Sequence, residues 1–282
     1  MRVLVTGAGG MLGREVTAAS HARGHEVVAL AHPALDITNS RAVENAISQY
    51  EPDAVINCAG FTDVDAAEAD EAGAMRINDE GAALLAGAAA SVGAKIVYPS
   101  SDYVFDGSGR RPYVESDLPA ALSAYGRSKQ AGETSVAVAN PRHFIVRASW
   151  LFGLGGKNFV ETMLRLGNEQ SEILVVSDQV GCPTYTGHLG EGLALLVEGE
   201  EFGIHHMAGG GHCSWYEFAQ EIFDQAGLEV RVMSATTDML ARAAPRPPYS
   251  VLGTERSSGI ALPYWRRGLA AYLAERGLEA AA

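Results

Sequence analysis

Residues 1–13 are Met-Arg-Val-Leu-Val-Thr-Gly-Ala-Gly-Gly-Met-Leu-Gly, and the architecture of the chain can be built outward from them. The apolar, β-branched run over residues 1–6 predicts a buried strand. A G-x-x-G-x-x-G pattern follows at once and opens a helix predicted to end near Ala22. Glycines between a strand and a helix permit a tight turn and let a pyrophosphate approach the amides of the helix N-terminus. We therefore predict a dinucleotide site with contacts from Gly7, Gly10, Met11 and Leu12.

Strand and helix patterns alternate through the first half of the chain. Predicted strands cover residues 26–30, 35–38, 54–57, 95–98 and 143–148, and predicted helices cover 40–50, 78–92 and the segment 123–133. Such alternation predicts an α/β fold, a Rossmann-like doubly wound parallel sheet. Beyond residue 150 the alternation loosens into strands over 173–176 and 204–207 and helices ending near Gly167, Val197 and Gln225.

The loosening divides the predicted organisation in two. We expect a dinucleotide-binding Rossmann domain over residues 1–150. Residues 151–282 should mainly form a smaller C-terminal substrate-binding lobe, interleaved with the last strands and helices of the Rossmann domain.

Cofactor contacts are expected where strands end, because ligands of doubly wound sheets bind outside the carboxyl ends of the strands. Asp36 and Ile37 end a predicted strand near the adenine, although Asp36 is equally typical of a turn or helix cap. Small residues follow the strand at 54–57, which predicts contacts from Cys58, Ala59, Gly60 and Thr62. The strand at 26–30 runs into Ala-His-Pro without an acid for the ribose hydroxyls. This favours NADPH slightly and keeps NADH as an alternative.

Tyr125 and Lys129 are the candidate proton-transfer pair. They are four residues apart in a predicted helix and so share a face. A free tyrosine has a pKa near ~10, and a neighbouring cation is expected to lower it. The alternative is a tyrosine in a core and a lysine in solvent. Ser101 follows a central strand, where its hydroxyl can donate to a substrate carbonyl or simply form a turn.

Composition limits the classes of partner. The chain of 282 residues has a formal net charge of −13, which disfavours nucleic acid or an anionic membrane as the main partner. No run approaches the ~18–20 apolar residues needed to cross a bilayer. Cys58, Cys182 and Cys213 are far apart and lack zinc-site spacing, so we predict reduced thiols in a cytoplasmic protein and no metal site.

Several segments together resemble the dTDP-4-dehydrorhamnose reductase family of extended short-chain dehydrogenases/reductases. Besides the glycine-rich turn they are Ser-Ser-Asp-Tyr-Val-Phe-Asp-Gly at 100–107, Tyr-Gly-Arg-Ser-Lys at 125–129, Arg-Ala-Ser-Trp at 147–150 and Asp-Gln-Val-Gly-Cys-Pro-Thr at 178–184. The resemblance covers nearly the whole chain. It implies reduction of the C4 ketone of dTDP-4-dehydro-L-rhamnose to dTDP-L-rhamnose with NADPH or NADH, in dTDP-rhamnose biosynthesis.

The same resemblance implies roles for single residues. Tyr125 would be the acid, Lys129 its partner and a ligand of the nicotinamide ribose, and Ser101 the donor to the carbonyl. The family usually has threonine where Ser101 stands, and the hydroxyl is kept. Substrate contacts are implied at Val64, Asp102, Tyr103, Trp150, Asn158 and Arg246. Family members are monomers or metal-bridged homodimers, which keeps both states and a Mg²⁺ ion open. Glu15 is one candidate ligand, but a surface acid on the first helix is the favoured interpretation of this residue.

Other functions on the same scaffold are considered. A nucleotide-sugar dehydratase carries Asp-Glu after its active-site hydroxyl, whereas Asp102-Tyr103 stands here. Another nucleotide-sugar 4-ketoreductase or an epimerase would share the core. A non-catalytic protein is also open, because the regulatory subunit of methionine adenosyltransferase resembles this family and can retain the same tyrosine and lysine.

Overall fold

The computed structural model describes residues 1–240, 242–257 and 259–277, so the Ala-rich end of the sequence, residues 278–282, lies outside the described residues. Its strands are β1 (Arg2–Thr6), β2 (Glu26–Leu30), β3 (Ala54–Asn57), β4 (Lys95–Ser101), β5 (His143–Ala148), β6 (Leu151–Phe152), β7 (Glu172–Val176), β8 (Val180–Gly181), β9 (Thr184–Tyr185), β10 (Gly203–His206), β11 (Cys213–Ser214) and β12 (Arg231–Ala235). Its α-helices are α1 (Met11–Ala22), α2 (Ser40–Tyr50), α3 (Val64–Ala69), α4 (Glu71–Met75), α5 (Ala82–Ser91), α6 (Ala124–Ala139), α7 (Phe159–Glu169), α8 (Thr186–Leu196), α9 (Trp215–Ala226) and α10 (Trp265–Glu275).

A six-stranded parallel sheet in the order β10-β5-β4-β3-β1-β2 forms the centre of the molecule. Helices cover both faces, because strands buried on both sides need an apolar layer on each. One core lies between the sheet and α2, α5 and α6. The other lies between the sheet and α1 and α8. The predicted doubly wound α/β fold is confirmed.

The strand predicted over residues 35–38 is wrong. The Asp36 carboxylate accepts from the backbone nitrogen and the hydroxyl of Thr38 at 2.9 and 2.8 Å. This side-chain turn replaces strand pairing. Leu35 and Ile37 still enter the core, at 4% and 3% exposure, which is why their alternation looks like a strand.

The helix predicted over residues 78–92 is only partly correct. Its second part is α5, but residues Arg76–Gly81 form a turn of π-helix that continues α4. The Asn78 carbonyl accepts from the Tyr98 hydroxyl at 2.7 Å, and its amide donates to Ser128 and to the Phe61 carbonyl. The widened turn thereby ties β4, α6 and the segment after β3 together.

The C-terminal part of the chain has an apolar core of its own, formed by α7, α9, α10 and β7. Small paired strands surround this core: β12 lies parallel to β7, β8 antiparallel to β11, and β6 parallel to β9. In contrast, β10 returns to the central sheet and pairs with β5. Within the described part of the chain, no helix is long and apolar enough to cross a membrane.

Gly132 allows α6 to pack closely on its neighbours. A Cβ there would lie 2.1 Å from the Asn78 carbonyl oxygen and 2.4 Å from the Tyr98 hydroxyl. We expect Gly132→Ala to lower the free energy of unfolding by about 1–3 kcal/mol, because neither contact can give way cheaply. Urea denaturation measures the loss.

Gly87 in α5 is the matched control, because a Cβ there meets nothing within 4 Å. Gly87→Ala should raise the free energy of unfolding by about 0.5–1 kcal/mol through helix propensity alone. Equal effects of the two substitutions would contradict the packing account of Gly132.

Candidate active site

A cavity of about 790 Å³ lies between the carboxyl ends of the central strands and the C-terminal part of the chain. Its wall brings together predicted residues that are distant in sequence: Gly10, Met11, Leu12, Cys58, Ala59, Gly60, Thr62, Val64, Ser101, Asp102, Tyr103, Tyr125, Lys129, Trp150 and Arg246. Four predicted residues, Gly7, Asp36, Ile37 and Asn158, are not part of this wall.

Each of the four has a structural position. Gly7 has φ +60°, and a Cβ there would lie 2.6 Å from the Cys58 carbonyl, so it lets two turns touch beneath the cavity. Asp36 and Ile37 belong to the turn and core described above. Asn158 caps α7 by accepting from Glu161, and its amide donates to the Gly153 carbonyl at 2.9 Å. Direct ligand contacts by Asp36, Ile37 and Asn158 therefore stay predictions.

The glycine-rich turn places the N-terminus of α1 at the cavity. Gly10 precedes α1. No side chain caps this helix, and the first turn of the helix contains no acidic residue. A Cβ on Gly13 would lie 2.3 Å from the Gly7 carbonyl oxygen, so glycine is needed for this tight turn. Backbone amides are thus left to face an anion. Lys157, which the sequence analysis missed, adds a cation to the same cavity.

Ser101, Tyr125 and Lys129 converge where β4 meets α6. Ser123 caps the helix by accepting from Gly126 at 3.1 Å, which places Tyr125 in the first turn. Lys129 Nζ donates to the Pro99 carbonyl at 2.6 Å and lies 4.1 Å from the centre of the Tyr98 ring. The Tyr103 ring packs edge-on against Tyr125, with centroids 6.0 Å apart.

Burial controls the protonation of this pair. It raises the pKa of Tyr125 to about 12, and a hydrogen bond with Ser101 offsets only part of that. The predicted lowering of the tyrosine pKa is therefore wrong for this structure, because desolvation of the phenolate is the largest influence on it and the Asp102 charge acts in the same direction. Burial also lowers the pKa of Lys129 to about 7, against the opposing charge of Glu133. At neutral pH, Tyr125 is a protonated donor.

Asp102 is buried behind Ser101. Its carboxylate accepts from the Ser101 and Ser149 hydroxyls at 3.1 and 3.0 Å. Burial raises the pKa of Asp102 to about 6, although these hydroxyls favour the charged form. The carboxylate is therefore placed to orient the Ser101 hydroxyl, and its contact with a substrate stays a prediction.

An aromatic wall closes one side of the cavity. Trp150 has φ +48°, a left-handed conformation that is strained for a bulky residue. Its indole stacks on Trp215 with centroids 3.4 Å apart and planes 4° apart. Phe159 packs against Trp215 at 4.5 Å. The sequence analysis missed Trp215, because the capping box of Ser214 and Glu217 beside it indicates only the start of a helix.

Arg246 reaches the cavity through an ion pair with Asp65. Its Nη1 and Nη2 atoms contact the two carboxylate oxygens at 3.1 and 2.8 Å. Asp65 also accepts from the Ala244 backbone nitrogen, and Arg242 approaches it within 3.5 Å. One carboxylate on α3 therefore fixes the segment that carries Arg246.

The described residues contain no group of three or more His, Cys, Asp or Glu arranged to hold a metal ion. Glu15 lies near Glu191 and Glu275, and burial together with their charges raises its pKa.

A parallel sheet with a glycine-rich turn after its first strand and a Ser, Tyr and Lys set at the crevice defines an extended short-chain dehydrogenase/reductase. The particular family follows from comparison with known proteins. The model of the RmlD substrate binding domain family matches residues 1–277, and the chain belongs to this family.

Several relatives of the chain are described as dTDP-4-dehydrorhamnose reductases, and others are described as related nucleotide-sugar reductases. A dTDP-4-dehydrorhamnose reductase from Streptomyces griseus is 44% identical over 278 residues, which cover 95% of this chain and 91% of that protein. A crystal structure of a dTDP-4-dehydrorhamnose reductase from Clostridium acetobutylicum has a TM-score of 0.95 and 42% identity, covering 98% of this chain and 100% of that one. The Bacillus anthracis enzyme in complex with NADP has a TM-score of 0.94 and 40% identity, covering 97% and 99%.

The ion pair of Asp65 makes a prediction about acid stability. Arg246 holds the pKa of Asp65 at about 2, below its ordinary value of about 3.9. Because the folded-state pKa is the lower one, Asp65 stabilises the fold above about pH 4, and this contribution is lost as the pH falls towards about 2. We expect Asp65→Asn to lower Tm at neutral pH and the gap to the parent protein to close in acid.

Thermal unfolding over this pH range measures the gap. Glu169→Gln is the control, because Glu169 forms an exposed pair with Arg165 one helical turn away and should contribute little. A Tm gap for Asp65→Asn that stays constant down to about pH 2 would contradict the ion-pair account.

Proposed function

We propose that this protein reduces the C4 ketone of dTDP-4-dehydro-L-rhamnose to dTDP-L-rhamnose with NADPH, with NADH as an alternative. The observation that carries the proposal is the convergence of Ser101, Tyr125 and Lys129 on one cavity wall beside the glycine-rich turn. The activity is the one named for its relatives from Streptomyces griseus and Clostridium acetobutylicum.

The residues present fit a dinucleotide. The uncapped N-terminus of α1 offers amides to a pyrophosphate, and Gly10 leaves the approach open. Small residues after β3, including Cys58 and Gly60, continue the same wall towards Lys129. The Bacillus anthracis relative is described with NADP. When bound, a nicotinamide cofactor supplies the hydride that the ketone carbon accepts.

The side chains supply the remainder of the reaction. Tyr125 is protonated near neutral pH and is placed beside Ser101, so its hydroxyl can donate to a ketone oxygen, and the Ser101 hydroxyl can join it by turning away from Asp102. As negative charge grows on that oxygen, Tyr125 gives it a proton. Lys129 faces the resulting phenolate as a cation and also offers Nζ to a ribose hydroxyl. Before the ketone arrives, Asp102 accepts the Ser101 proton, and the Tyr103 backbone nitrogen donates to the Ser101 oxygen, so both groups position this hydroxyl.

The nucleotide sugar is the proposed partner. We assign its recognition mainly to residues 151–282, with residues 1–150 holding the cofactor. Trp150 and Trp215 give an apolar face for a sugar ring, and Arg246 and Lys157 give cations for the diphosphate. A cytoplasmic location fits three free cysteines, none of which is paired in the described chain. The oligomeric state is proposed to be a monomer or a homodimer.

Tyr125→Phe tests the acid. We expect kcat for ketone reduction to fall by about 10²–10⁴-fold, because proton delivery is lost while the ring stays. NADPH affinity, measured by fluorescence titration, should change little. Near-normal turnover would reject the assignment.

Ser101→Thr serves as the conservative comparison. It keeps the hydroxyl that is present in most family members, so activity should persist, whereas Ser101→Ala should lose about 10²-fold or more in kcat. Stopped assays that follow nicotinamide absorbance measure both variants. Similar losses in the two variants would contradict a hydroxyl role.

The substrate is tested by net redox change. With a dTDP-4-keto-6-deoxy sugar we expect stoichiometric oxidation of NADPH and a dTDP-6-deoxyhexose product. An epimerase would convert its substrate without consuming NADPH, and a non-catalytic subunit would bind NADPH without turnover. A different product stereochemistry at C4 would identify another 4-ketoreductase.

A further inference from the structure

A buried ion pair lies behind the Tyr125–Lys129 pair. Glu133 follows Lys129 by four residues on α6, so Tyr125, Lys129 and Glu133 share one face of the helix. The Glu133 carboxylate accepts from Arg147 Nε at 2.9 Å and from Arg147 Nη2 at 2.8 Å. The two side chains are only 7% and 1% exposed.

The same carboxylate holds the end of β4. Glu133 accepts from the Ser100 hydroxyl at 2.5 Å. Ser100 stands between Ser101 and Pro99, whose carbonyl accepts from Lys129. Two hydrogen bonds therefore connect α6 to the carboxyl end of β4, one from Lys129 and one to Glu133.

Stability alone does not explain such a pair. Replacing a buried ion pair by apolar side chains of similar size is often neutral or stabilising, because both charges must be desolvated. A hydrophobic contact between α6 and β5 would serve packing equally well. Packing therefore does not explain why a charged carboxylate occupies position 133.

The groups that surround Lys129 suggest an electrostatic reason for this carboxylate. The titratable groups around it are Tyr125 and Glu133 on α6, Tyr98 on β4 and Cys58 after β3, with Asp79 beside Tyr98 and with Asp102 and Arg147 further away. Burial raises the pKa of Cys58 to about 12 and that of Tyr98 well above its ordinary value, so both are neutral near pH 7. Tyr125 is neutral there as well. Glu133 is the main group that opposes the effect of burial on the Lys129 ammonium, and Cys58 has a smaller effect in the same direction.

We propose that Glu133 is a positioning residue for the reaction, acting through Lys129. Its carboxylate keeps the Lys129 ammonium charged at the cavity wall, and through Ser100 it fixes the Pro99 carbonyl that receives this ammonium. Arg147 satisfies the rest of the carboxylate. The catalytic consequence rests on the proposed function, but the charge of Lys129 can be measured without cofactor or substrate.

The chain has three lysines, Lys95, Lys129 and Lys157, so a lysine-labelled protein gives few side-chain NMR signals. Lys95→Arg and Lys157→Arg assign them by elimination. In Glu133→Gln we expect the titration midpoint of Lys129 to move to lower pH by about one unit, because the ammonium loses its buried counter-charge while Arg147 stays. The Lys95 and Lys157 signals should keep their titration.

Two further variants keep the test decisive. Glu133→Gln leaves Arg147 unpaired and can fail to fold, so Glu133→Gln/Arg147→Met removes both charges together. It should shift the Lys129 midpoint in the same direction by a smaller amount. Glu71→Gln is the matched control, because it removes the partner of Arg127 on the exposed side of the same helix and should leave Lys129 unchanged. An unchanged midpoint in the folded double variant overturns the proposal.

Kinetic measurements separate the effect of Glu133 on the charge of Lys129 from its effect on the reaction. The pH above which kcat for ketone reduction declines should move down together with the Lys129 midpoint, with KM for the nucleotide sugar little altered. A shifted midpoint with an unshifted rate profile overturns the role in the reaction. If the parent protein reduces no dTDP-4-keto sugar, the proposed function fails, and the NMR titration alone decides the relation between Glu133 and Lys129.

Discussion

The close approach of α6 to the carboxyl end of β4 governs the whole site. Gly126 permits it, because a Cβ there would lie 2.2 Å from the Tyr103 carbonyl oxygen, and Gly132 permits it six residues later. At this distance Lys129 reaches the Pro99 carbonyl, and Tyr125 reaches Ser101. Backbone packing, and not a flexible loop, therefore sets the geometry of the proton donor.

The same approach removes water from the pair, with opposite effects on its two members. Burial raises the pKa of Tyr125, which keeps its proton, and lowers the pKa of Lys129, which loses its proton more easily. A neutral phenol suits donation to a ketone, whereas abstraction from an alcohol would need the phenolate. Lys129, in contrast, needs a nearby negative charge to stay protonated. The carboxylate of the buried Glu133–Arg147 pair lies one helical turn away and supplies that charge in our proposal. Acid and support thus come from one helix face.

Local signals made the first half of the molecule predictable. The turn at Gly7–Gly13 is determined by residues next to one another, and the shared face of Tyr125 and Lys129 follows from helix period alone. The strand over 35–38 failed because two apolar side chains can enter a core from a turn as well as from a strand. The prediction of a lowered Tyr125 pKa was wrong because the burial of this side chain depends on segments that are distant in sequence.

The remaining site residues were beyond sequence reasoning for a similar reason. Asp65 meets Arg246 across 181 positions of the chain, and a single acid at the start of a helix gives no sign of that partner. Trp215 and Lys157 join the cavity only when the C-terminal elements fold back over the sheet. These contacts are products of tertiary packing, which no periodicity encodes.

The return of β10 to the central sheet has a consequence for how the chain can be cut. Its four residues, Gly203–His206, cover the outer edge of β5, whose side chains are almost all buried. A fragment that ended near residue 150 would contain every predicted cofactor contact yet leave this apolar strand with unpaired amides and carbonyls. Such an edge recruits other strands and promotes aggregation. We therefore expect residues 1–150 not to form a stable protein without the C-terminal part of the chain, although the two parts contribute different residues to the site.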